Sequence, residues 1–398
     1  MKHNFLCLAL VLGLLSAIGP FAIDMYLPAL PAIGRALRAD VHQVQLSLMT
    51  FFLSFALSQL AYGPASDMFG RKPPLYVGIG LFVVGSIGCA LSPSIGWLVA
   101  FRVVQGLGGG APSVITLAVV RDLHTGAEAA RLMSLLMLVF SVSPILAPVV
   151  GSLIIDAGGW SVIFWAIAMI GLLGLALTAF ALEETRPSAD RANSGVASTL
   201  RAFALLVRDP HFMAMAGVLS LGVSAFFVYL SNSSFVLINH YGLTPRQYSL
   251  AFSVNAASFI GASQLAGRLG ARYGLRRLVS VAAAGFALTM TAGAALNLAG
   301  IDNLPTLIVM LMIGFGFLGL VIPSTSVMAL ENHGDIAGAA SALMGTMEMV
   351  GGAIVIAVMG LVVDGTARPM LAGVAIVALL TWGLAWAALR GEHPVPRA

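Results

Sequence analysis

Long apolar runs separated by short polar breaks dominate the chain. They cover about 5–27, 43–66, 74–92, 95–120, 131–155 and 160–182, then about 211–236, 248–269, 275–298, 304–330, 337–363 and 367–390. Each is close to the ~20 apolar residues that a helix needs to cross the hydrocarbon core of a bilayer. The longest polar interval, 183–209, contains Glu183, Glu184, Arg186, Pro187, Asp190, Arg191, Arg201, Arg208 and Asp209. This spacing predicts an all-α membrane protein of twelve transmembrane helices in two six-helix halves. The N-terminal bundle is expected over residues 1–185, a linker over 186–207 and the C-terminal bundle over 208–398.

Composition and charge refine this picture. Hydrophobic residues make up 59% of the chain and charged residues 9%, with a mean hydropathy of +0.98. A water-soluble chain carries about 25% charged residues, so a soluble class is excluded. The net charge of +4 gives no sign of nucleic-acid binding, because the basic residues sit in the breaks between runs. With the amino terminus placed inside, fifteen Lys and Arg fall on the inner side, and only Arg35, Arg38, Arg246 and Arg368 fall outside. The positive-inside rule then puts both termini and the linker in the cytoplasm. Cys7 and Cys89 lie in apolar runs and support neither a disulfide nor a metal site.

The first dense patch of charge is Gly63-Pro64-Ala65-Ser66-Asp67-Met68-Phe69-Gly70-Arg71-Lys72, expected to be a tight loop before the helix that Pro73-Pro74 opens. A degraded copy follows half a chain later, Gly267 to Arg277. Gly63 and Gly70 align with Gly267 and Gly274, and Asp67 aligns with Ala271. Two repeated halves around a central linker point to a secondary transporter. No G-x-x-x-x-G-K-[ST] phosphate loop occurs, so the driving energy is expected from an ion gradient or from the substrate's own.

Several stretches resemble a known family. Residues 63–72 resemble the signature loop between helices 2 and 3 of the major facilitator superfamily. Arg102-Val103-Val104-Gln105-Gly106-Leu107-Gly108-Gly109-Gly110 is similar to its helix-4 motif in drug/proton antiporters. Ala22-Ile23-Asp24-Met25-Tyr26-Leu27-Pro28-Ala29-Leu30-Pro31 is similar to the helix-1 motif of twelve-span drug exporters. Ser143-Pro144-Ile145-Leu146-Ala147-Pro148-Val149-Val150-Gly151 is similar to the helix-5 antiporter motif in the form used by the Bcr/CflA group, and Leu182-Glu183-Glu184-Thr185 also resembles that group. The resemblance covers the whole chain in layout and the first half in motifs. It implies a bicyclomycin- or chloramphenicol-type exporter. It leaves the substrate open.

Candidate site residues follow, each with two readings. Asp24 lies toward the outer end of the first run. A charged group at mid-membrane costs ~2.5–3.5 kcal/mol on insertion scales, so Asp24 should face a wet cavity and bind the driving proton; otherwise it is a solvated helix-end residue. Arg102 acts in proton handling with Gln105, as the resemblance implies, or snorkels to the outer interface. Glu348 stands in the eleventh run where the family pattern has an uncharged residue. It is a second titratable group or a counter-charge for a cationic substrate, or else a packing residue. Asp67 follows the second run and Asp122 the fourth. By resemblance Gly63, Asp67, Gly70, Arg71, Lys72 and Asp122 form a cytoplasmic gate; the alternative is a solvated charge cluster worth little. Pro144, Pro148 and Gly151 loosen the fifth helix as an antiporter hinge or as an ordinary kink. Tyr26, Gln59, Gln105, Tyr229, Asn232 and Asn255 are candidate substrate-binding groups, each equally readable as an interhelical hydrogen bond.

The expected function is proton-coupled multidrug efflux across the bacterial inner membrane by alternating access, in a monomer whose partners are a small-molecule substrate, protons and the lipid bilayer. No cofactor, metal or nucleic acid is implied. Export of an endogenous metabolite, such as an amino acid or sugar derivative, is the alternative on the same fold. A polytopic enzyme or sensor is the reading from another class, and no acid or His cluster at a loop supports it.

Overall fold

In lipid every backbone polar group must be paired within the chain, and an uninterrupted helix does this alone. The computed structural model describes residues 5–124, 126–186 and 196–390, and among them no strand occurs. Residues 187–195 of the expected linker and both chain ends, on which the placement of the termini rests, lie outside the described residues. The helices are α1 (Phe5–Asp24), α2 (Leu30–Leu37), α3 (Val41–Phe69), α4 (Lys72–Ala90), α5 (Ile95–Leu123), α6 (Gly126–Gly158) and α7 (Trp160–Phe180). After α8 (Val196–Arg208) come α9 (Pro210–Ser234), α10 (Pro245–Tyr273), α11 (Leu275–Leu298), α12 (Leu304–Leu330), α13 (Ala337–Val362) and α14 (Arg368–Arg390).

Among the described residues eleven segments are long and apolar enough to cross a membrane, with α1 and α2 joined as Cys7–Leu37. Among the twelve long helices α10 is the exception. It has the length but carries Arg246, Gln247, Asn255, Gln264, Arg268 and Arg272. Polar side chains mark the helix starts. Asp40 accepts from the Gln43 amide at 2.7 Å while Gln43 Oε1 accepts from the Asp40 amide at 3.1 Å, a reciprocal cap on α3. Asp209 caps α9 and Asn303 caps α12 in the same role.

Two expectations change. The first run does not stop at 27: Pro28 and Pro31 break it into a short 3-10 turn (Leu27–Ala29) and α2, so Asp24 lies at an internal break of a longer span. The expected loop over Gly63–Lys72 is mostly helix. Pro64 is tolerated inside α3, the Ser66 hydroxyl bonds back to the Gly63 carbonyl at 2.9 Å, and the chain turns only at Gly70, φ 92°. Asp67 therefore lies inside the last turns of α3, and Asp122 inside the last turn of α5, rather than after them.

The chain divides into two compact units. Unit 1 holds Met1–Thr199 and Leu243–Ser253; unit 2 holds Leu200–Gly242 and Val254–Ala398. Inside unit 1, α3 and α4 pack on α5, α4 packs on α7, and α1 packs on α6. Inside unit 2, α11 packs on α12 and α14, and α9 packs on α13 and α14. With α9 to α14 counted as the second set of six, α4–α5 matches α11–α12, α4–α7 matches α11–α14, and α1–α6 matches α9–α13. The repeat seen in the loops is thus a repeat of packing.

Glycine makes these crossings possible. A methyl on Gly106 would meet the Phe51 carbonyl of α3, and one on Gly108 would overlap the Phe82 nitrogen of α4. The corresponding crossing in unit 2 puts Gly319 of α12 on the Phe259 carbonyl of α10, where Ser258 Oγ also donates to the Met312 carbonyl at 2.7 Å. Small residues bring helix backbones together where lipid gives no hydrophobic drive for association.

At another corner of unit 2, Asp302 accepts from Tyr241 OH at 2.5 Å and from Asn297 Nδ2 at 3.1 Å, and contacts His240 Nε2 at 2.9 Å. The Tyr241 bond, with help from His240 and Asn297, holds the Asp302 carboxyl below its usual range, against a smaller opposing effect of burial.

Gly108→Ala is expected to destabilise the solubilised protein by about 1–3 kcal/mol, the scale of forced overpacking. Gly80→Ala, which meets nothing within 4 Å, should leave the thermal midpoint unchanged. Equal midpoints for the two variants would contradict the close crossing. A depressed carboxyl stabilises the fold above its unfolded pKa, and that contribution is lost as pH falls through the folded value. Asp302→Asn should therefore lower the midpoint at neutral pH, and the gap to wild type should close on acidification below the ordinary carboxylate range.

Candidate functional site

The most constrained group in unit 1 is Arg102, in the second turn of α5. Its side chain is 0% exposed, so it does not reach the outer interface. Nη1 donates to Gln105 Oε1 at 2.6 Å and to the Ala22 carbonyl of α1 at 3.3 Å, and Nε donates to the Ser47 carbonyl of α3 at 3.4 Å. The guanidinium lies between two rings, 4.7 Å from the centroid of Tyr26 and 4.1 Å from that of Phe51. Nη2 has no hydrogen-bond partner, and Arg102 makes no ion pair among the described residues. A buried cation thus rests on carbonyl oxygens, one amide and two π faces.

Asp24 ends α1, two residues after the Ala22 carbonyl that Arg102 reaches, and its side chain is buried. Its carboxyl makes no hydrogen bond or ion pair among the described residues. Gln105 Nε2 donates to Ser86 Oγ at 2.8 Å, and Tyr26 OH pairs with Ser47 Oγ at 2.7 Å. Tyr26, Arg102 and Gln105 are thereby gathered at the α1–α3–α5 crossing, and Asp24 joins them only through the chain, two residues from the Ala22 carbonyl. Ser47, Ser86 and Phe51 belong to the same cluster and were not singled out in the sequence. Gln59 lies apart on α3, half-buried, 3.4 Å from Ser113 Oγ. On α6, Pro144 and Pro148 sit inside an unbroken helix, and a methyl on Gly151 would strike the Met25 carbonyl beside Asp24.

A second cluster forms at the α3–α4 corner. Arg71, with a side chain only 4% exposed, is bidentate to Asp122, at 2.7 Å from Nε and 2.9 Å from Nη2. Its Nη1 donates to Asp67 and Ser66, each at 2.7 Å. Burial pulls the guanidinium down, and the bonds and charge of Asp122 and Asp67 more than offset it, so Arg71 stays above its ordinary value. Thr185 Oγ1 adds a bond to Asp122 at 2.9 Å. Glu184 caps the start of α4, accepting from the Arg71 amide at 2.8 Å and the Lys72 amide at 3.1 Å, while Lys72 Nζ reaches the Leu182 carbonyl at 2.8 Å. A carboxylate on the first amides of a helix meets both their unpaired hydrogens and the positive end of the dipole. Gly63 contributes a carbonyl to Ser66, and a methyl on it would come no closer than 3.8 Å to a neighbouring atom, whereas Gly70 makes the turn. Glu184 and Thr185 carried only a family likeness in the sequence; a capping carboxylate a hundred residues from its helix leaves no local pattern.

In unit 2, Asn255 Nδ2 donates to Tyr229 OH at 3.0 Å, and the Tyr229 ring lies 5.1 Å from Phe315. Asn232 Nδ2 bonds back to the Val228 carbonyl at 2.9 Å. All three are buried, and Asn255 Oδ1 has no partner. Glu348 is part-buried on the stripe of α13 that also carries Met344 and Gly352. A methyl on Gly352 would strike the Phe227 ring, so this stripe is turned to α9, and Ser220 Oγ of α9 donates to the neighbouring Met347 carbonyl at 2.7 Å. The Glu348 carboxyl has no partner among the described residues. Within those residues no group of three His, Cys, Asp or Glu could hold a metal ion.

The family model described as Major Facilitator Superfamily matches residues 12–356 and 223–398. The chain belongs to the Major Facilitator Superfamily. It is 36% identical over 378 residues to the uncharacterized MFS-type transporter YdgK of Bacillus subtilis, covering 93% of each chain. It is 31% identical to the bicyclomycin resistance protein homolog of Haemophilus influenzae, covering 93% of this chain and 92% of that one. Multidrug resistance protein MdtL of Escherichia coli matches at 32% over 241 residues, 60% of each chain. Together these relatives support a Bcr/CflA-type member of the superfamily. Among solved structures, a D-xylose-proton symporter superposes with a TM-score of 0.72 at 16% identity, over 95% of this chain and 97% of that one. The nucleoside transporter NupG gives 0.76 at 15%, over 97% and 100%. The chain is thus a multi-pass membrane transporter with the major facilitator fold, and not an enzyme.

Removing one partner of a nearly buried pair strands the other. Asp122→Asn is expected to destabilise the solubilised transporter by about 3 kcal/mol. Asp67, with 44% of its side chain exposed, should cost under about 1 kcal/mol as Asp67→Asn. Thermal unfolding of the two variants tests that order, and its reversal would contradict the geometry.

Proposed function

We propose that the chain is a proton-coupled multidrug efflux antiporter of the bacterial inner membrane. It exports small amphiphilic or antibiotic compounds by alternating access, as a monomer with both termini in the cytoplasm. The observation that carries this reading is the buried carboxyl of Asp24, without a partner among the described residues, at a break in the first span two residues from the Ala22 carbonyl that holds the buried Arg102. Ionisable groups within a membrane are costly and mark ion or substrate paths by default. In the proposed cycle Asp24 holds the driving proton and gives it up when substrate binds. Arg102, oriented by Gln105 and the two rings, supplies the fixed positive charge that keeps the two occupancies exclusive. The resistance names of two relatives support drugs as the exported class.

The remaining groups take supporting roles in this reading. The Asp67–Arg71–Asp122 interlock, with Gly63, Gly70 and Lys72, acts as the cytoplasmic gate. Glu184 belongs to that gate as the cap that fixes α4. Pro144, Pro148 and Gly151 form the hinge of α6, which bears on the Asp24 break through Met25. Glu348 is a counter-charge for cationic compounds, and Tyr26, Gln59, Tyr229, Asn232 and Asn255 shape the binding region.

Everted vesicles test the proposal. Their lumen is acidified by respiration, and phenicols, bicyclomycin and lipophilic cations are added one by one. Exchange of a proton for a compound should raise lumenal pH in wild type, and the response should fall to background in Asp24→Asn. A full response in Asp24→Asn would overturn the assignment. No response to any compound, with folded protein present, would favour a metabolite as the exported class.

A further inference from the structure

The two halves carry the same glycine corner with different charge. Gly70 (φ 92°) and Gly274 (φ 82°) turn the chain in the same left-handed region, one between α3 and α4, the other between α10 and α11. At the first corner the cation points inward: Arg71 is almost fully buried and satisfied by two carboxylates. At the second, the positions aligned with Asp67 and Arg71 are Ala271 and Leu275, so both members of the interlock are gone. Arginines stand instead at 268, 272 and 277, aligned with Pro64, Met68 and Pro73.

All three of these arginines are exposed, and none makes an ion pair or a hydrogen bond among the described residues. Leu265, itself 48% exposed, is followed by Arg268 and Arg272 at spacings of three and four, which puts an apolar side chain and two cations on one face of α10. The Arg272 guanidinium lies 5.2 Å from the ring centroid of Tyr273, which is half-exposed. An aromatic with one wet end belongs at the headgroup level of a bilayer, and a guanidinium matches phosphate oxygens two at a time.

We propose that the α10–α11 corner of unit 2 binds the phosphate of an anionic phospholipid headgroup. Arg268, Arg272 and Arg277 hold the phosphate, Tyr273 orients Arg272, and the acyl chain runs past Leu265. The corner has kept the backbone turn of its counterpart and traded an internal lock for a lipid contact. Which lipids surround the transporter then bears on unit 2 through this corner.

The test is phosphatidylglycerol binding to the full-length protein in phosphatidylcholine nanodiscs, read by titration and by the lipid retained in native mass spectrometry. A basic residue near an anionic surface contributes roughly fivefold in affinity, so the three together are worth on the order of a hundredfold. The R268Q/R272Q/R277Q variant should lose about that factor, while R268K/R272K/R277K should stay within a few-fold of wild type. Where the triple glutamine variant fails to fold, R272Q alone should lose roughly fivefold by the same rule. Soluble glycerol phosphate should not displace the lipid at equal concentration. Wild-type affinity in the glutamine variants, or displacement by glycerol phosphate, would overturn the proposal.

Discussion

A fully buried guanidinium with no carboxylate partner among the described residues is the constraint around which unit 1 is built. Taking a cation out of water costs several kcal/mol even after relaxation. Arg102 recovers part of that from the Ala22 and Ser47 carbonyls, the Gln105 amide and the rings of Tyr26 and Phe51. Each of those partners sits on α1, α3 or α5 or just beyond an end, so the three helices must cross closely for the charge to be tolerated. The glycines of α5 permit this: Gly106 lets α3 in and Gly108 lets α4 in. The break after Asp24 completes the arrangement, because Gly151 of α6 presses on the Met25 carbonyl at that point. Charge, close packing and an interrupted span meet within one small region.

The second cluster obeys opposite rules. Arg71 is nearly as buried as Arg102, yet it is saturated, with two carboxylates and a serine filling its fork. Fully paired charges hold a geometry, whereas an under-paired one is free to respond to what arrives. On that contrast we propose the α3–α4 corner as a structural lock and the α1–α3–α5 crossing as the responsive site. The α10–α11 corner, with its cations turned outward, is neither.

Much of this was readable in the residues, and the parts that were not share a cause. Runs of apolar residues report helices directly, since lipid leaves the backbone no other choice, and the glycines at 70 and 274 marked both corners. The stretch from Gly63 to Phe69 read as a loop because Gly, Pro, Ser and Asp are turn residues in water; beside packed helices the same residues continue α3. Arg102 has no acid within a turn of it in sequence, and its partners include backbone carbonyls, which belong to every residue alike. Glu184 caps a helix that begins more than a hundred positions earlier, and only the fold brings the two together. Five of the six polar groups chosen as candidate ligands proved buried, with Gln59 the half-open exception. Hydrogen bonding within a bundle and substrate binding draw on the same residue types.

The central claim is that the Asp24 carboxyl trades its proton for substrate. The most direct measurement is proton release from the purified transporter in weakly buffered detergent as an exported compound is added, with binding followed in parallel. The account predicts release on binding in wild type, and binding without release in Asp24→Asn. Equal release from both proteins would contradict it and move the proton to another group.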